Sequence, residues 1–424
     1  MSGEQEGTWA SKSLGDLFAV NTPGHWGDEP EGHGNILVLR STNFRKAGGL
    51  IYETAAPRQF DARKLAQKRL QAGDIILERS GGSPAQPVGR ARRFEAEGCY
   101  SASNFMQIMR PSDKVDNWFA CYLLDYLYDQ GHTEPLQKAT TGIRNLDFKT
   151  YLHLPVSVPS LDEQRRIAEV LRSVDEAIAA TQATYDGILT AQAAVFQSFL
   201  QSGERVPHSQ PIISWMTGKI SGVDQLPPGW RIVRLVEVAR LESGHTPDRK
   251  KPEYWDGGDV EWISLHDTQN LERCDISHTE MRITEAGLAN SSARLLPAGT
   301  VCFSRTATVG KCVIMAKSMA TSQDFANFVC SPELNNRYLL HLMRWMQPVW
   351  KALASGSTHK TIYMPTFKAL QIILPSRAEQ DEIAATMDSF VNTAEGHAAS
   401  LTHLRSLKAN LMSDLLSGRV RVRA

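Results

Sequence analysis

Arginine and asparagine are the side chains that grip a nucleobase edge with two hydrogen bonds, arginine on guanine and asparagine on adenine. In this chain they recur in loops beside short apolar runs. Arg40, Ser41 and Asn43 follow ILVL at 36–39, and Ser264, His266 and Asp267 follow Trp262-Ile263. Arg79-Ser80 and Arg305-Thr306 end two further runs, and Arg144 and Lys360 occupy matching late loops. With Arg45, Lys46, Arg90 and Lys311 these form the candidate contact set for a polyanion. Each could equally be an ordinary surface charge.

Catalytic chemistry is harder to find. Val309-Gly310-Lys311-Cys312 resembles the end of a phosphate loop, but Arg305 stands where the first Gly is needed and Cys312 replaces Ser/Thr. There is no G-x-G-x-x-G, H-E-x-x-H or G-x-S-x-G, no Asn/Asp-Pro-Pro-aromatic tetrapeptide, and no nuclease-type acidic pair with E-x-K. Cysteines 99, 121, 274, 302, 312 and 330 form no C-x-x-C and have no His at zinc spacing. They are expected to be buried thiols. The chain is expected to bind and not to catalyse.

At 424 residues and zero net charge, the chain exceeds one ordinary domain and is not basic throughout. Charge is instead segregated. Residues 40–93 hold twelve Lys/Arg against four Asp/Glu, and 334–378 hold six against none. Residues 160–201 reverse this, with six acidic and three basic. A polyanion is therefore expected on the globular parts and not on that acidic stretch. No apolar run approaches the ~20 residues of a membrane span, and Met1 opens no signal-peptide pattern. A cytoplasmic location is the default expectation.

The elements that must carry these loops come in two copies. Residues 1–8 are polar and expected to be disordered. Strands are expected at 36–39, 73–80 and 103–109, a helix at Trp118–Tyr128, and a short strand at LPVSVP. A Pro-free stretch from Ser160 to Ser202 then repeats its apolar residues in heptads. Ile167, Val174, Ile188 and Val195 share one position, and Leu171, Ile178, Tyr185 and Phe199 the other. Ser160 and Glu163 have capping-box spacing.

At an offset of 216 the same signature returns as Ser376, Glu379, Gln380, Ile383 and Ala384. Its seam carries Ile383, Phe390, Leu404 and Leu411 with Met387, Leu401 and Leu415. Thr181/His397 and Gln192/Lys408 break the two seams. Trp9…Leu14 matches Trp230…Leu235, Leu70…Gly73 matches Leu296…Gly299, and Ser101–Phe105 matches Thr321–Phe325.

This is a two-fold internal repeat of a mixed strand–helix domain plus a long helix. The expected fold is α+β, with the two helices paired as an antiparallel coiled coil and pseudo-two-fold symmetry. The expected segments are domains at 1–159 and 227–375, helices at 160–202 and 376–418, a connector at 203–226 and a tail at 419–424. Each helix would be ~60 Å long.

The segments LPPGWRIVRLVEVARLESGHTP (226–247), PSLDEQRRIAEVLRSVDE (159–176), PSRAEQDEIAATMDSF (375–390) and the paired AGD/AGT–strand–Arg runs resemble the specificity subunit of type I restriction–modification enzymes. The first copy departs from the pattern, since GTWASKSLGD lacks the Leu-Pro and leaves its first strand less certain. The resemblance implies a non-catalytic subunit whose two target recognition domains each read half of a split double-stranded DNA sequence. It implies helices that measure the spacer and dock two methyltransferase subunits, with restriction/translocase subunits joining them. S-adenosylmethionine, ATP and magnesium would belong to those partners. The alternatives are a stand-alone DNA methyltransferase or nuclease, or a coiled-coil scaffold binding only proteins.

Overall fold

The computed structural model describes residues 9–30, 32–45, 48–83, 86–140, 143–201, 206–207, 225–354 and 361–422. The expected disordered start, most of the connector, Lys46 and Lys360 lie outside the described residues. The chain forms two compact units, Met1–Thr181 with Ser400–Ala424, and Gln182–Ala399. The boundaries cut through both long helices, so each unit owns the start of one helix and the end of the other.

The first unit contains β1 (Ala10–Ser13), β2 (Phe18–Pro23), β3 (Ile36–Leu39), β4 (Ala56–Arg58), β5 (Ile75–Glu78), β6 (Ser80–Gly82), β7 (Ala91–Arg93), β8 (Tyr100–Ala102), β9 (Met106–Pro111), β10 (Gln137–Thr140), β11 (Ile143–Leu146) and β12 (Pro155–Val158). They pair as β2-β9-β5-β7, β4-β3-β8, β10-β11-β6 and β1-β12. Strand β5 is buried on both faces because its side chains alternate. Ile75 and Leu77 join the core under helix Asn117–Asp129, while Ile76 joins Leu39, Phe94 and Met106 on the other side.

The second unit contains β13 (Val206–Pro207), β14 (Gln225–Leu226), β15 (Arg231–Arg234), β16 (Ala239–Ser243), β17 (Val260–Ile263), β18 (Asp275–Ile276), β19 (Arg282–Ile283), β20 (Val301–Ser304), β21 (Cys312–Met315), β22 (Ala320–Thr321), β23 (Phe325–Cys330) and β24 (Gln371–Leu374). Its sheets are β16-β23-β20-β21-β18, β19-β17-β22, β15-β24 and β13-β14. The repeat is topological as well as sequential. Parallel β3–β8 has its counterpart in parallel β17–β22. Ala10–Ser13 pairs with Val158–Pro155 just as Arg231–Arg234 pairs with Leu374–Gln371. The first strand therefore forms without the Leu-Pro.

The repeated Glu-Gln ties each long helix to its own unit. Gln164, 2% exposed, accepts from the Asp116 N–H at 2.9 Å and donates to Pro159 O at 3.0 Å. Gln380, 1% exposed, accepts from the Asn335 N–H at 2.8 Å and donates to Pro375 O at 3.0 Å. Asp116 and Asn335 in turn cap helices Asn117–Asp129 and Asn336–Trp345. The indoles of Trp9 and Trp230 donate to Glu163 and Glu379 at 3.3 and 3.0 Å. The second capping box is reciprocal, with Ser376 N–H on Glu379 at 2.9 Å and Glu379 N–H on Ser376 Oγ at 3.4 Å. The first is only half made. Glu163 N–H reaches Ser160 Oγ at 3.3 Å, but its carboxylate turns to Arg421, bonded twice at 2.7 Å.

The long helices span Leu161–Gln201 and Arg377–Leu416, and within each unit the start of one packs antiparallel on the end of the other. In the first unit Arg166 bonds Val422 O at 3.0 Å, and Asp175 pairs with Lys408 at 2.8 Å. Ile167 and Leu171 share a core with Met412, Leu415 and Leu416. In the second unit Phe196 and Leu200 share one with Ile383 and Met387.

The expected seam is followed only in part. Ile167, Leu171, Val174, Ile178, Ile383, Met387 and Leu401 are buried, whereas Ile188, Phe390 and Leu404 are half-buried. Towards the helix ends burial moves on by one residue, to Phe196 and Leu200 in place of Val195 and Phe199, and to Met412 and Leu416 beside Leu415. A helix of 3.6 residues per turn drifts ~20° per heptad against a 3.5 repeat, close to one position over four heptads. Of the seam breaks, Lys408 is spent on Asp175, which also accepts from the Tyr122 hydroxyl at 2.7 Å. No described helix is long and apolar enough to cross a membrane.

Candidate nucleic-acid interface

In each unit several strands deliver their C-terminal ends to one rim. In the first unit the loop after β2 docks on the segment after β8, through His25 N–H to Ala102 O at 2.8 Å. Ser103 N–H bonds Leu39 O at 2.9 Å, bringing in β3. The turn Asn104-Phe105 is held from β5 and β6, with Arg79 and Ser80 N–H both on Phe105 O at 2.9 and 3.0 Å. Leu146 N–H on Arg79 O, at 2.8 Å, adds hairpin β10–β11.

The second unit repeats these bonds. His245 N–H meets Thr321 O, Ser322 N–H meets Ile263 O, Arg305 N–H meets Asp324 O, and Ile362 N–H meets Arg305 O, all at 2.9 Å. Gly24 and Gly244 are required here, since a Cβ would sit 2.2 Å from Ala102 O or Thr321 O. These bonds pair Phe105 with Asp324. The match of Ser101–Phe105 to Thr321–Phe325 is thereby corrected by one residue, a slip the sequence alone could not reveal.

The rim sorts the candidate residues into exposed and structural ones. Arg40 is exposed, its guanidinium 5.6 Å over the Trp26 ring. Arg45 is exposed, and Ser41, Arg79 and Arg144 are half-buried along the same rim. In the second unit His266 is exposed and Thr306 half-buried. Arg305 is half-buried and lies flat, donating to Gln323 O at 2.9 Å and Ile362 O at 3.4 Å.

Four candidates are corrected by their burial, and two more are already paired. Asn43 is fully buried, accepts from the Arg40 N–H at 2.8 Å and donates to Ile51 O and Thr54 Oγ1 at 2.9 Å. Asp267 does the same work, accepting from the Ser264 and Glu280 N–H groups at 2.8 Å, and burial raises its pKa against those bonds. Ser264 is buried as its cap. Ser80 is buried against Asn145. Arg90 is locked on buried Glu78 by bonds of 2.9 and 3.1 Å. Lys311 pairs with Glu272 at 2.7 Å and bonds Thr268 O at 3.1 Å. In Asn43, Asp267, Ser264 and Ser80 the polar atoms shape loops, because a buried polar group must be satisfied internally, whereas Arg90 and Lys311 are half-buried and held in ion pairs.

Other rim residues escaped the sequence reading. The dipeptide Gly-His at 24–25 and 244–245 was a legible repeat. Arg249-Lys250-Lys251, exposed after His245, was a legible basic run. Phe105, 48% exposed, and Tyr363, 57% exposed, had no signal, since exposure of a single aromatic has no pattern.

One cluster assembles from distant sequence. Ligand atoms of Cys274, His341 and Asp388 lie within 4.8 Å of one another. His341 Nε2 is 2.7 Å from Asp388, Arg337 approaches Asp388 at 3.7 Å, and Arg344 approaches the Cys274 sulfur at 4.0 Å. Two guanidiniums oppose a further cation, so the cluster is a hydrogen-bonded tie between helix Asn336–Trp345 and the second long helix. Among the described residues the cysteines are free, with 121, 302 and 312 buried and 99, 274 and 330 half-buried.

The duplicated rim agrees with comparison to known proteins. The family model for the type I restriction modification DNA specificity domain matches residues 6–189 and again 227–404. The chain belongs to that family of specificity subunits. It is 31% identical over 179 residues to the type I restriction enzyme MjaIX specificity subunit of Methanocaldococcus jannaschii, a match covering 42% of this chain and 41% of that one. It is 23% identical over 278 residues to the EcoR124I/EcoR124II specificity subunit of Escherichia coli, covering 63% of each. The chain thus spans about two fifths of the first relative and under two thirds of the second. In fold it is similar to the crystal structure of the type I restriction–modification S subunit from M. genitalium, with a TM-score of 0.59, 12% identity and 98% coverage of both chains.

Proposed function

We propose that this chain is the non-catalytic DNA-reading subunit of a type I restriction–modification complex, each unit reading one half of a split, asymmetric target. The observation that carries the reading is the rim. One hydrogen-bonded frame is built twice, and its accessible residues differ between copies, with exposed Arg40 and Phe105 in one and exposed His266 and half-buried Asp324 in the other. A shared frame with different readers is what two different half-sites require, because base contacts specify while the frame only positions them.

On this reading the long helices set the distance between half-sites and dock two methyltransferase subunits, which restriction/translocase subunits join. Leu189 and Leu407, 41% and 46% exposed, offer apolar contact on those helices. S-adenosylmethionine, ATP and magnesium belong to the partner subunits, and the assembly works in the cytoplasm.

Mapping modified adenines genome-wide, in cells carrying this chain with its partners, tests the proposal. A bipartite asymmetric motif is expected, and a palindrome or an unsplit site would overturn it. Inserting four residues midway in one helix adds ~6 Å and is expected to lengthen the spacer by a base pair or two.

A further inference from the structure

Phe105 is an exposed aromatic held in a rigid place. It occupies the two-residue turn between β8 and β9, and its carbonyl accepts the Arg79 and Ser80 N–H groups. Its ring joins none of the buried apolar clusters of the first unit and remains 48% exposed. The surroundings are cationic and apolar together. Arg79, whose own N–H helps fix the turn, sends its guanidinium to Gln107 Oε1 at 3.4 Å, and Ser80 is tied to Asn145 on β11. Ile143, on the same face of β11 as Asn145, is 43% exposed. In the second unit the corresponding residue is Asp324, whose carboxylate accepts from Ser322 Oγ at 2.9 Å.

Resting on the DNA-reading proposal above, we infer that Phe105 makes an apolar contact with a nucleobase of the half-site read by the first unit. A phosphate cannot be its target, since a phenyl ring carries no charge or donor. Two base features offer the required chemistry: a thymine methyl group in the major groove, and the face of a base at an opened step. A rigid backbone suits either, because little conformational entropy is lost when the ring is covered. The Asp324 carboxylate makes neither contact, so this reader acts in one half-site only.

The test uses the full chain with its methyltransferase subunits and the duplex target found by methylation mapping. Each thymine of the first half-site is replaced by deoxyuridine in turn, and each adenine by fluorescent 2-aminopurine. If the ring meets a methyl group, one deoxyuridine lowers wild-type affinity about three- to fivefold, the worth of a buried methyl. If it covers an opened base, one 2-aminopurine brightens on binding, and F105A costs about five- to tenfold. In either case F105A loses the sensitivity seen in the wild type, and F105L restores it for the methyl contact alone.

Wild-type affinity in F105A, or an unchanged response to the modified bases, overturns the inference. A wild-type complex with no bipartite target overturns the DNA-reading proposal itself. Should F105A melt below the wild type, F105N, which puts a turn-favouring residue at the same place, is measured on the same duplexes.

Discussion

The two units share a skeleton down to individual hydrogen bonds and differ in what hangs from it. Trp9–Glu163 and Trp230–Glu379, Gln164 and Gln380, Gly24 and Gly244, and the four rim bonds are conserved between copies as interactions. The side chains hung on it are not: exposed Arg40 corresponds to buried Ser264, exposed Phe105 to half-buried Asp324, and, within the strands, half-buried Leu37 to buried Glu261. Satisfying buried polar groups leaves few solutions, so the frame is held fixed. Exposed side chains on loops carry no such constraint and are free to differ.

The largest expected effects come from breaking the frame in one copy. Gly24→Ala places a Cβ 2.2 Å from two backbone oxygens, Ala102 O and Ser103 O, neither of which can withdraw without parting the rim. A loss of about 3 kcal/mol or more in the first unit is expected. Gly244→Ala should do the same to the second unit, against Thr321 O and Ser322 O. Each variant should abolish recognition of one half-site, read by hydrogen exchange for stability and by binding to duplexes with one half-site scrambled. Equal damage to both half-sites from one variant would show that the copies do not act independently.

Gln164→Ala and Gln380→Ala sharpen the comparison at the helix starts. Each strands the N-cap N–H of Asp116 or Asn335, costing about 2–3 kcal/mol. The first copy should suffer less, because Arg421 also clamps its helix through Glu163, and that pairing holds the Glu163 carboxyl below its usual range. Urea titrations of the two variants give the difference, and Arg421→Ala in the Gln164→Ala background should remove it.

Glu261 separates the units by pH. It is 4% exposed on β17, bonded by Thr279 N–H and Oγ1 at 2.9 and 2.8 Å and by Lys317 at 3.0 Å. Burial alone would raise its pKa, but these bonds outweigh burial and hold it at about 2. The folded value lies below the unfolded one. Its stabilisation is therefore complete above pH 4.5 and lost as pH falls towards 2. Leu37 has no such dependence. Glu261→Gln should cost about 1–3 kcal/mol at pH 7 and flatten the acid limb of melting temperature against pH.

Much of the frame was legible because it is periodic or repeated. ILVL at 36–39 forms the strand its short apolar run announces, and the Ser-x-x-Glu-Gln signature at an offset of 216 located both helices. The individual readers were less legible. Asn43 and Asp267 have the right chemistry for base edges, yet they close the turns at 41–43 and 265–267. A sequence cannot say which way a polar side chain faces when both directions offer hydrogen bonds. The ion pairs of Arg90 and Lys311 were illegible for a related reason, since their carboxylate partners are 12 and 39 residues away.

The smallest effect concerns one charge at the rim. Arg40 follows β3 as Ser264 follows β17, so the first copy carries an exposed cation where the second carries a buried cap. In Arg40→Ser the Asn43 side-chain Oδ1 still accepts the residue-40 N–H, a main-chain donor that the substitution leaves in place, so the turn should survive and the melting temperature should be unchanged. On the DNA-reading proposal, what is removed is one cation facing a phosphate. The slope of log affinity against log salt should become shallower by ~0.9, with equal loss on matched and scrambled first half-sites. A loss confined to the matched sequence would instead assign Arg40 to a base edge, with ~1–3 kcal/mol of discrimination at one position. The reverse exchange, Ser264→Arg, should not transfer the charge cleanly. Ser264 is buried with its hydroxyl bonded to the His266 N–H, so unfolding of that turn is expected before any gain in affinity. The two copies share a turn but not its tolerance, which is why their readers cannot be exchanged residue for residue.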